Sequence, residues 1–144
     1  ILENDYDILL FQEVTIDILA KLYQIINNKY NHIHFDIDDD YYGVCIISKF
    51  EIKNRNILRF NNSKMRRSLI FGEINNIIIA TTHLESEFNK YSKKKVIQLN
   101  NCITYLSNFD KVIFIGDTNL RPIDEKINSL RCYRFFISRQ LHWI

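Results

Sequence analysis

The 144-residue chain contains three glycines and one proline, far below ordinary usage, and that scarcity excludes a linker or a low-complexity segment. Its three cysteines, Cys45, Cys102 and Cys132, are odd in number and widely spaced, which argues against both structural zinc and a disulfide framework. Cys102 falls at a helical core phase and Cys45 within a strand pattern, so both read as small buried hydrophobes. A reduced, intracellular protein is the simplest expectation from that usage. No apolar run is long enough to span a bilayer and no basic-then-apolar leader is visible, so no membrane partner is expected. The net charge of +2 does not announce nucleic acid; such contact has to come from local basic clusters. What the chain does have is apolar and aromatic: 47% hydrophobic residues, with ten Phe and eight Tyr, enough to pack a core. The length suits one domain over 1–144, or part of a larger one. Ile1 stands where Met would begin a chain, directly before a buried-looking segment, and this reads as a fragment.

Periodicity places the elements. Residues 8–11 are a short continuous apolar run, consistent with a strand covered on both faces. Thr15 can cap a helix in which Ile18, Leu19, Leu22, Tyr23 and Ile26 form one apolar stripe, ending at Asn27 and Asn28. Residues 31–42 read as a polar, acidic connection with a short strand near His34 and Phe35. His32 and His34 form no chemical constellation and read as ordinary loop or strand residues. Further strands are expected at 44–48 and 56–60. Residues 67–74 and 76–82 flank Asn75 and Asn76, which tolerate the left-handed turn of a β-hairpin. The clearest helix spans 88–109, where Val96, Leu99, Ile103 and Leu106 recur at three- and four-residue spacing. Lys93, Lys94 and Lys95 in its early turns read as a solvated face. A strand at 111–115 follows. Strands mixed with helices and hairpins predict an α/β (α+β) domain of mixed sheets covered by helices.

The most informative stretch is 113–120, Ile-Phe-Ile-Gly-Asp-Thr-Asn-Leu. A buried strand runs into Gly116, where the backbone is expected to turn sharply. Asp117 and Asn119 then leave the strand end two residues apart, a spacing that puts side chains on one side. Arg121 adds a planar cation suited to phosphate. An acid, an amide and a guanidinium together point to phosphoester chemistry, although Gly, Asp and Asn also make ordinary turns. Three other segments share this placement beyond an apolar strand: 11–14 with Glu13, 41–43 with Tyr41 and Tyr42, and 82–86 with His83 and Ser86. In layered β folds such ends gather at one rim. Glu13 suits a hard cation, because Mg²⁺ takes one or two carboxylates plus water and substrate oxygens; as a plain structural residue it would complement a helix dipole. His83 can stabilise negative charge on a phosphate, or simply be a hydrogen-bonded histidine at a strand end.

Taken in order, Gln12-Glu13-Val14, Thr82-His-Leu-Glu-Ser86 and Gly116-Asp-Thr-Asn-Leu-Arg121 resemble the endonuclease/exonuclease/phosphatase superfamily. Their spelling is most similar to its 5′-tyrosyl-DNA phosphodiesterase branch. Tyr41-Tyr42, Lys64-Met65-Arg66-Arg67 and Gln98-Leu99 add to the match, which spans about 7–121. The resemblance implies a four-layered α/β sandwich and Mg²⁺-dependent phosphodiesterase chemistry, with Mn²⁺ able to substitute. By motif position Glu13 holds the metal, and Asp117 and Asn119 orient the nucleophile and contact the scissile phosphate. His83 and Ser86 bind phosphate oxygens, and Arg121 adds positive charge. Tyr41 lies beside the nucleic-acid end, with Arg67 near the strand backbone. The implied partner is a single-stranded or 5′-end nucleic acid carrying a tyrosyl adduct, without an obligate protein partner.

The chain departs from the family pattern at both ends. The family's opening Trp-Asn-type motif would precede Ile1, and no Ser-Asp-His motif closes the chain. His142-Trp143 resembles the end of that motif with Leu141 in place of Asp, and 131–136 faintly resembles a family strand with Tyr133 where Asp is expected. The sandwich is therefore expected to be incomplete at both ends. Two alternatives follow: another nuclease or phosphatase of the superfamily, or a truncated remnant that only binds nucleic acid or a partner.

Overall fold

The computed structural model describes residues 4–26, 28–38, 41–86 and 93–120. Arg121, Cys132 and His142 lie outside the described residues, as do 131–136. Among the described residues nine elements follow one another: β1 (Ile8–Val14), α1 (Ile16–Ile26), β2 (His32–Asp38), β3 (Tyr41–Ser48), β4 (Lys53–Arg59), β5 (Ser68–Ile74), β6 (Ile77–Thr82), α2 (Lys93–Leu106) and β7 (Val112–Phe114).

The strands form an antiparallel sheet ordered β1-β3-β2 and a second sheet ordered β4-β5-β6-β7, whose last pair, β6 and β7, is parallel. Side-chain alternation explains how the sheets stack, since neighbours along a strand face opposite sides. Val44 and Ile46 of β3 meet Ile70 and Ile74 of β5 and Ile79 of β6, so one core lies between the sheets. Cys45 and Ile47, on the other face of β3, pack with Leu9, Phe11, Leu19 and Ile26 beneath α1. Leu69, Phe71 and Ala80 pack against Leu99, Cys102 and Leu106 of α2. The result is helix, sheet, sheet, helix: the expected four layers. Phe71, Tyr105 and Phe109 add tilted ring pairs with centroids 5.2–6.2 Å apart.

Several expectations hold and several are corrected. Strand β1 is apolar on both faces, its Leu9 and Phe11 under α1 and its Ile8 and Leu10 toward the second sheet. The Asn75-Asn76 hairpin forms with φ of 50° and 63°, joining Ile74 to Ile77. Cys45 and Cys102 are free and buried, and burial pushes both thiols up to about 12. The 31–42 connection is mostly ordered strand, because β3 supplies a template along which β2 pairs. Tyr41 and Tyr42 accordingly belong to β3 instead of preceding it. On α1 the contacting stripe narrows to Leu19 and Ile26, and Ile18 and Tyr23 are exposed. Helix α2 ends at Leu106, three residues before the expected end. Among the described residues, no helix is long and apolar enough to cross a membrane.

Candidate active site at the rim of the two sheets

Three strand ends meet where β1, β6 and β7 finish. His83 follows β6 and bridges Asp117, which lies three residues beyond β7: the Leu84 amide donates to the Asp117 carbonyl at 2.8 Å and the Asp117 amide to the Thr82 carbonyl at 3.1 Å. Gly116 permits this contact by its size. A side-chain carbon there would run into the Thr82 carbonyl oxygen and lie 2.8 Å from Thr82 N. No glycine takes a left-handed φ, so the sharp turn expected at Gly116 is corrected to a close approach of two backbones.

Glu13 arrives from the other sheet. The β1–β3 register shifts between Gln12 and Val14, and Glu13 sits in that bulge with φ of 57°. A left-handed non-glycine residue costs about 1–2 kcal/mol, and bulges re-aim side chains next to active sites. The Glu13 carboxylate is 65% exposed. Gln12, beside it, donates to the Thr81 hydroxyl at 2.9 Å and ties the two sheets together beneath the site.

The imidazole of His83, only 2% exposed, stands between the acids. Its Nε2 is 4.0 Å from Glu13 Oε1 and 3.9 Å from Asp117 Oδ2, and its Nδ1 is 2.9 Å from an Arg67 guanidinium nitrogen. Arginine offers donors only, so Nδ1 accepts and the neutral ring carries its proton on Nε2, facing the carboxylates. Burial lowers the His83 pKa below its ordinary 6.5, and the Arg67 charge lowers it further. The ring is therefore neutral at pH 7, a donor aimed at the rim. Arg67 is itself 7% exposed and its Nε is buried without a hydrogen-bond partner. Its guanidinium reaches His83 and, at 3.7 Å, Met65 Sδ.

Asp117 and Asn119 are brought together by a turn instead of strand alternation. Asp117 Oδ1 accepts the Asn119 amide at 2.8 Å, Asn119 takes φ of 50°, and its Nδ2 donates to the Leu84 carbonyl at 3.0 Å. The chain has left β7, so the period-2 rule no longer applies. Asp117 keeps its carboxylate 54% exposed. Ser86 directs its hydroxyl to Met65 Sδ at 3.4 Å. Tyr41 does not join the His83 cluster. It lines an adjoining cleft of about 370 Å³ with Tyr42, Asp36, Asp38, Arg66 and Arg67. The Arg66 guanidinium lies 5.0 Å from the centre of the Tyr41 ring and pairs with Asp38.

Reading the sequence missed the wall behind the site. Glu85, wholly buried, accepts from the Ser63 hydroxyl at 2.7 Å and the Lys64 amide at 3.0 Å. Gln98 accepts the Glu85 amide at 2.9 Å. Lys95 is buried and donates to the Asn119 carbonyl at 2.7 Å, which corrects the reading of Lys93, Lys94 and Lys95 as a uniformly solvated face. The signal was present: Lys95 and Gln98 lie in phase with Leu99 and Cys102, and a polar residue on an apolar stripe has to find a partner.

Among the described residues no group of three or more His, Cys, Asp or Glu forms a metal cluster. Glu13 and Asp117 nevertheless present hard oxygen donors from exposed carboxylates, the type Mg²⁺ takes when water and substrate complete its shell. The donor set fits that ion.

Known proteins share this fold. The Endonuclease/Exonuclease/phosphatase family model matches residues 1–141. A 5′-tyrosyl-DNA phosphodiesterase from Caenorhabditis briggsae is 32% identical over 142 residues, covering 86% of this chain and 37% of that protein. The crystal structure of TDP2 from C. elegans superposes with a TM-score of 0.73 at 26% identity, covering 86% of this chain and 41% of that one. An AP endonuclease from Archaeoglobus fulgidus gives a TM-score of 0.64 at 25% identity, covering 84% and 50%. The chain thus spans half or less of the length of these relatives. Four shared layers, a rim of strand ends and a family match over nearly every residue carry one conclusion: the chain belongs to the Endonuclease/Exonuclease/phosphatase family.

Proposed function

We propose that this chain forms the part of a metal-dependent phosphodiesterase that hydrolyses 5′-phosphotyrosyl ends of nucleic acid. One observation carries the reading: a neutral imidazole with its Nε2 proton facing two exposed carboxylates, 3.9 and 4.0 Å away. The likeness to a relative named 5′-tyrosyl-DNA phosphodiesterase supports the substrate class.

The roles follow from the geometry. Asp117, exposed and held at Oδ1 by the Asn119 amide, is placed to align a water and take its proton. The water oxygen bonds to phosphorus as the bond from phosphorus to the tyrosine oxygen breaks. The departing phenolate has a pKa near 10 and takes a proton from solvent, so strong acid catalysis is not needed. The Nε2–H of His83 donates to phosphate oxygens as charge builds on them, and Arg67 fixes the ring for that task. Glu13 would hold Mg²⁺ or Mn²⁺, which when bound supplies Lewis-acid charge at the phosphate. Ser86, Arg121 and Asn119 complete the phosphate contacts in this reading. Tyr41 offers a stacking face for a terminal base of a single strand. The site operates within one domain inside the cell, with no obligate protein partner.

The test is release of tyrosine from a 5′-phosphotyrosyl single-stranded oligonucleotide, with Mg²⁺ and with EDTA. Metal-dependent release that Asp117→Asn abolishes is the expected result. Cleavage of an abasic or inositol-phosphate substrate instead would reassign the chain within its family. Binding of the oligonucleotide by a folded chain without turnover would make it a binding remnant.

A further inference from the structure

We propose that Lys95 is the positioning residue for the turn that carries Asp117 and Asn119. Lys95 is 1% exposed, and its ammonium group crosses from α2 and donates to the Asn119 carbonyl at 2.7 Å. An ammonium removed from water is tolerated only where it is hydrogen-bonded, so a lysine at this core phase marks a fixed partner. One such partner is the backbone carbonyl of Asn119, a residue with φ of 50°. A left-handed asparagine keeps its conformation only while its surroundings enforce it.

Three bonds do so. The Asn119 amide is held by Asp117 Oδ1 at 2.8 Å, its side chain by the Leu84 carbonyl at 3.0 Å, and its carbonyl by Lys95. The first two are internal to the rim, because Leu84 and Asp117 are themselves joined backbone to backbone. Lys95 alone of the three belongs to α2, whose Leu99, Cys102 and Leu106 are anchored in the core. It is therefore the strut that refers the turn to the rigid body of the domain. Gln98, one turn along the same helix, does the same for the loop after His83 by accepting the Glu85 amide at 2.9 Å. Helix α2 thus holds both acid-bearing and imidazole-bearing segments from behind, and Lys95 sets the position of the first. The catalytic consequence rests on the phosphodiesterase reading; the positioning does not.

The test compares Lys95→Met, which keeps length without charge, and Lys95→Arg, which keeps the cation. Amide hydrogen exchange is followed residue by residue at Asn119 and across β6. In Lys95→Met, exchange at Asn119 is expected to rise roughly ten- to a hundredfold, the worth of one charge-assisted hydrogen bond, while β6 stays unchanged. Lys95→Arg is expected to restore protection. Tyrosine release by Lys95→Met should lose kcat by the same factor with KM unaltered, as for a group that places the reacting acid without touching substrate. A uniform rise across β6, or no change at Asn119, would overturn the proposal. If Lys95→Met does not fold, the unsubstituted chain decides the matter by ¹⁵N detection of its lysines. A Lys95 ammonium whose protons exchange as fast as those of Lys93 overturns the strut, and slower exchange supports it. A wild-type chain that releases no tyrosine would refute the phosphodiesterase reading and leave the exchange result to stand by itself.

Discussion

The front and back of the rim are built on opposite terms. In front, Glu13 and Asp117 hold carboxylates that are 65% and 54% exposed and lean on a single buried imidazole. Behind them, Arg67, Glu85, Lys95 and Gln98 are charged or polar yet buried, and each has a named hydrogen-bonded partner. Groups that must meet metal, water or phosphate stay accessible, whereas groups that aim them are removed from solvent, where a hydrogen bond is stronger and an unpaired group costlier. Substitutions in front should therefore cost activity and spare the fold, and substitutions behind should loosen what each residue holds: the wall itself for Glu85, and only the turn at Asn119 for Lys95.

Asp117→Asn should give the largest effect. The amide keeps an Oδ1 acceptor for the Asn119 backbone at the place where that bond is 2.8 Å, so the melting temperature should hold. Loss of a general base typically costs about 10²–10⁴-fold in rate, read as tyrosine release under Mg²⁺. An unfolded Asp117→Asn chain would break the division between front and back. Glu85→Ala comes next and lies on the other side of the comparison. It strands the Ser63 hydroxyl and the Lys64 amide, both bound to that carboxylate. Urea unfolding should show a loss of about 3 kcal/mol, since charged hydrogen bonds are worth about 1.5–3 kcal/mol each.

Acidification should act on the back wall more gently. Burial lowers the pKa of His83 and of His34, whose Nε2 donates to the Asn56 carbonyl at 2.9 Å and joins β2 to β4. Each folded value lies below the ordinary 6.5 of an unfolded chain, so the unfolded state binds more protons. Stability is then fully present above pH 6.5 and is lost as pH falls through the folded values. Protonated His83 also loses its acceptor at Nδ1 and faces the Arg67 donors with a donor of its own. Denaturant midpoints measured between pH 8 and 5 should fall on acidification, and His83→Asn should flatten that slope. A midpoint that rises toward pH 5 would contradict the neutral imidazole.

The front was legible in the sequence and the back largely was not. Glu13, His83 and Asp117 announce themselves because each follows an apolar run at a strand end, and the fold brings those ends to one rim. Mixed sheets covered by helices were legible from element type and from the Asn75-Asn76 turn, and the four layers from the family resemblance. Tertiary facts were not. That Gly116 makes a close backbone contact with Thr82 depends on two strands approaching. That Arg67 serves His83 from within depends on where β5 and β6 lie side by side. Lys95 was read with its lysine neighbours as a charge run, although its phase with Leu99 pointed inward.

The smallest effect should come from a surface ion pair that, like Gln12 with Thr81, spans the two sheets. Arg59 of β4 pairs with Asp36 of β2 at 2.6 Å beside the Tyr41 cleft, with the arginine side chain mostly exposed. Water screens such a pair and holding two side chains costs entropy, so Arg59→Met should lower stability by about 0.2–1 kcal/mol. The loss should shrink further in 1 M salt, where charges are screened within about 3 Å. Gln12→Ala, removing a part-buried bond between neutral groups, should cost more and show no salt dependence. Urea unfolding of both variants at low and high salt measures the contrast. If Arg59→Met proved the costlier of the two, the sheets would be held together from the cleft side, and the rigid wall would have to be redrawn to include it.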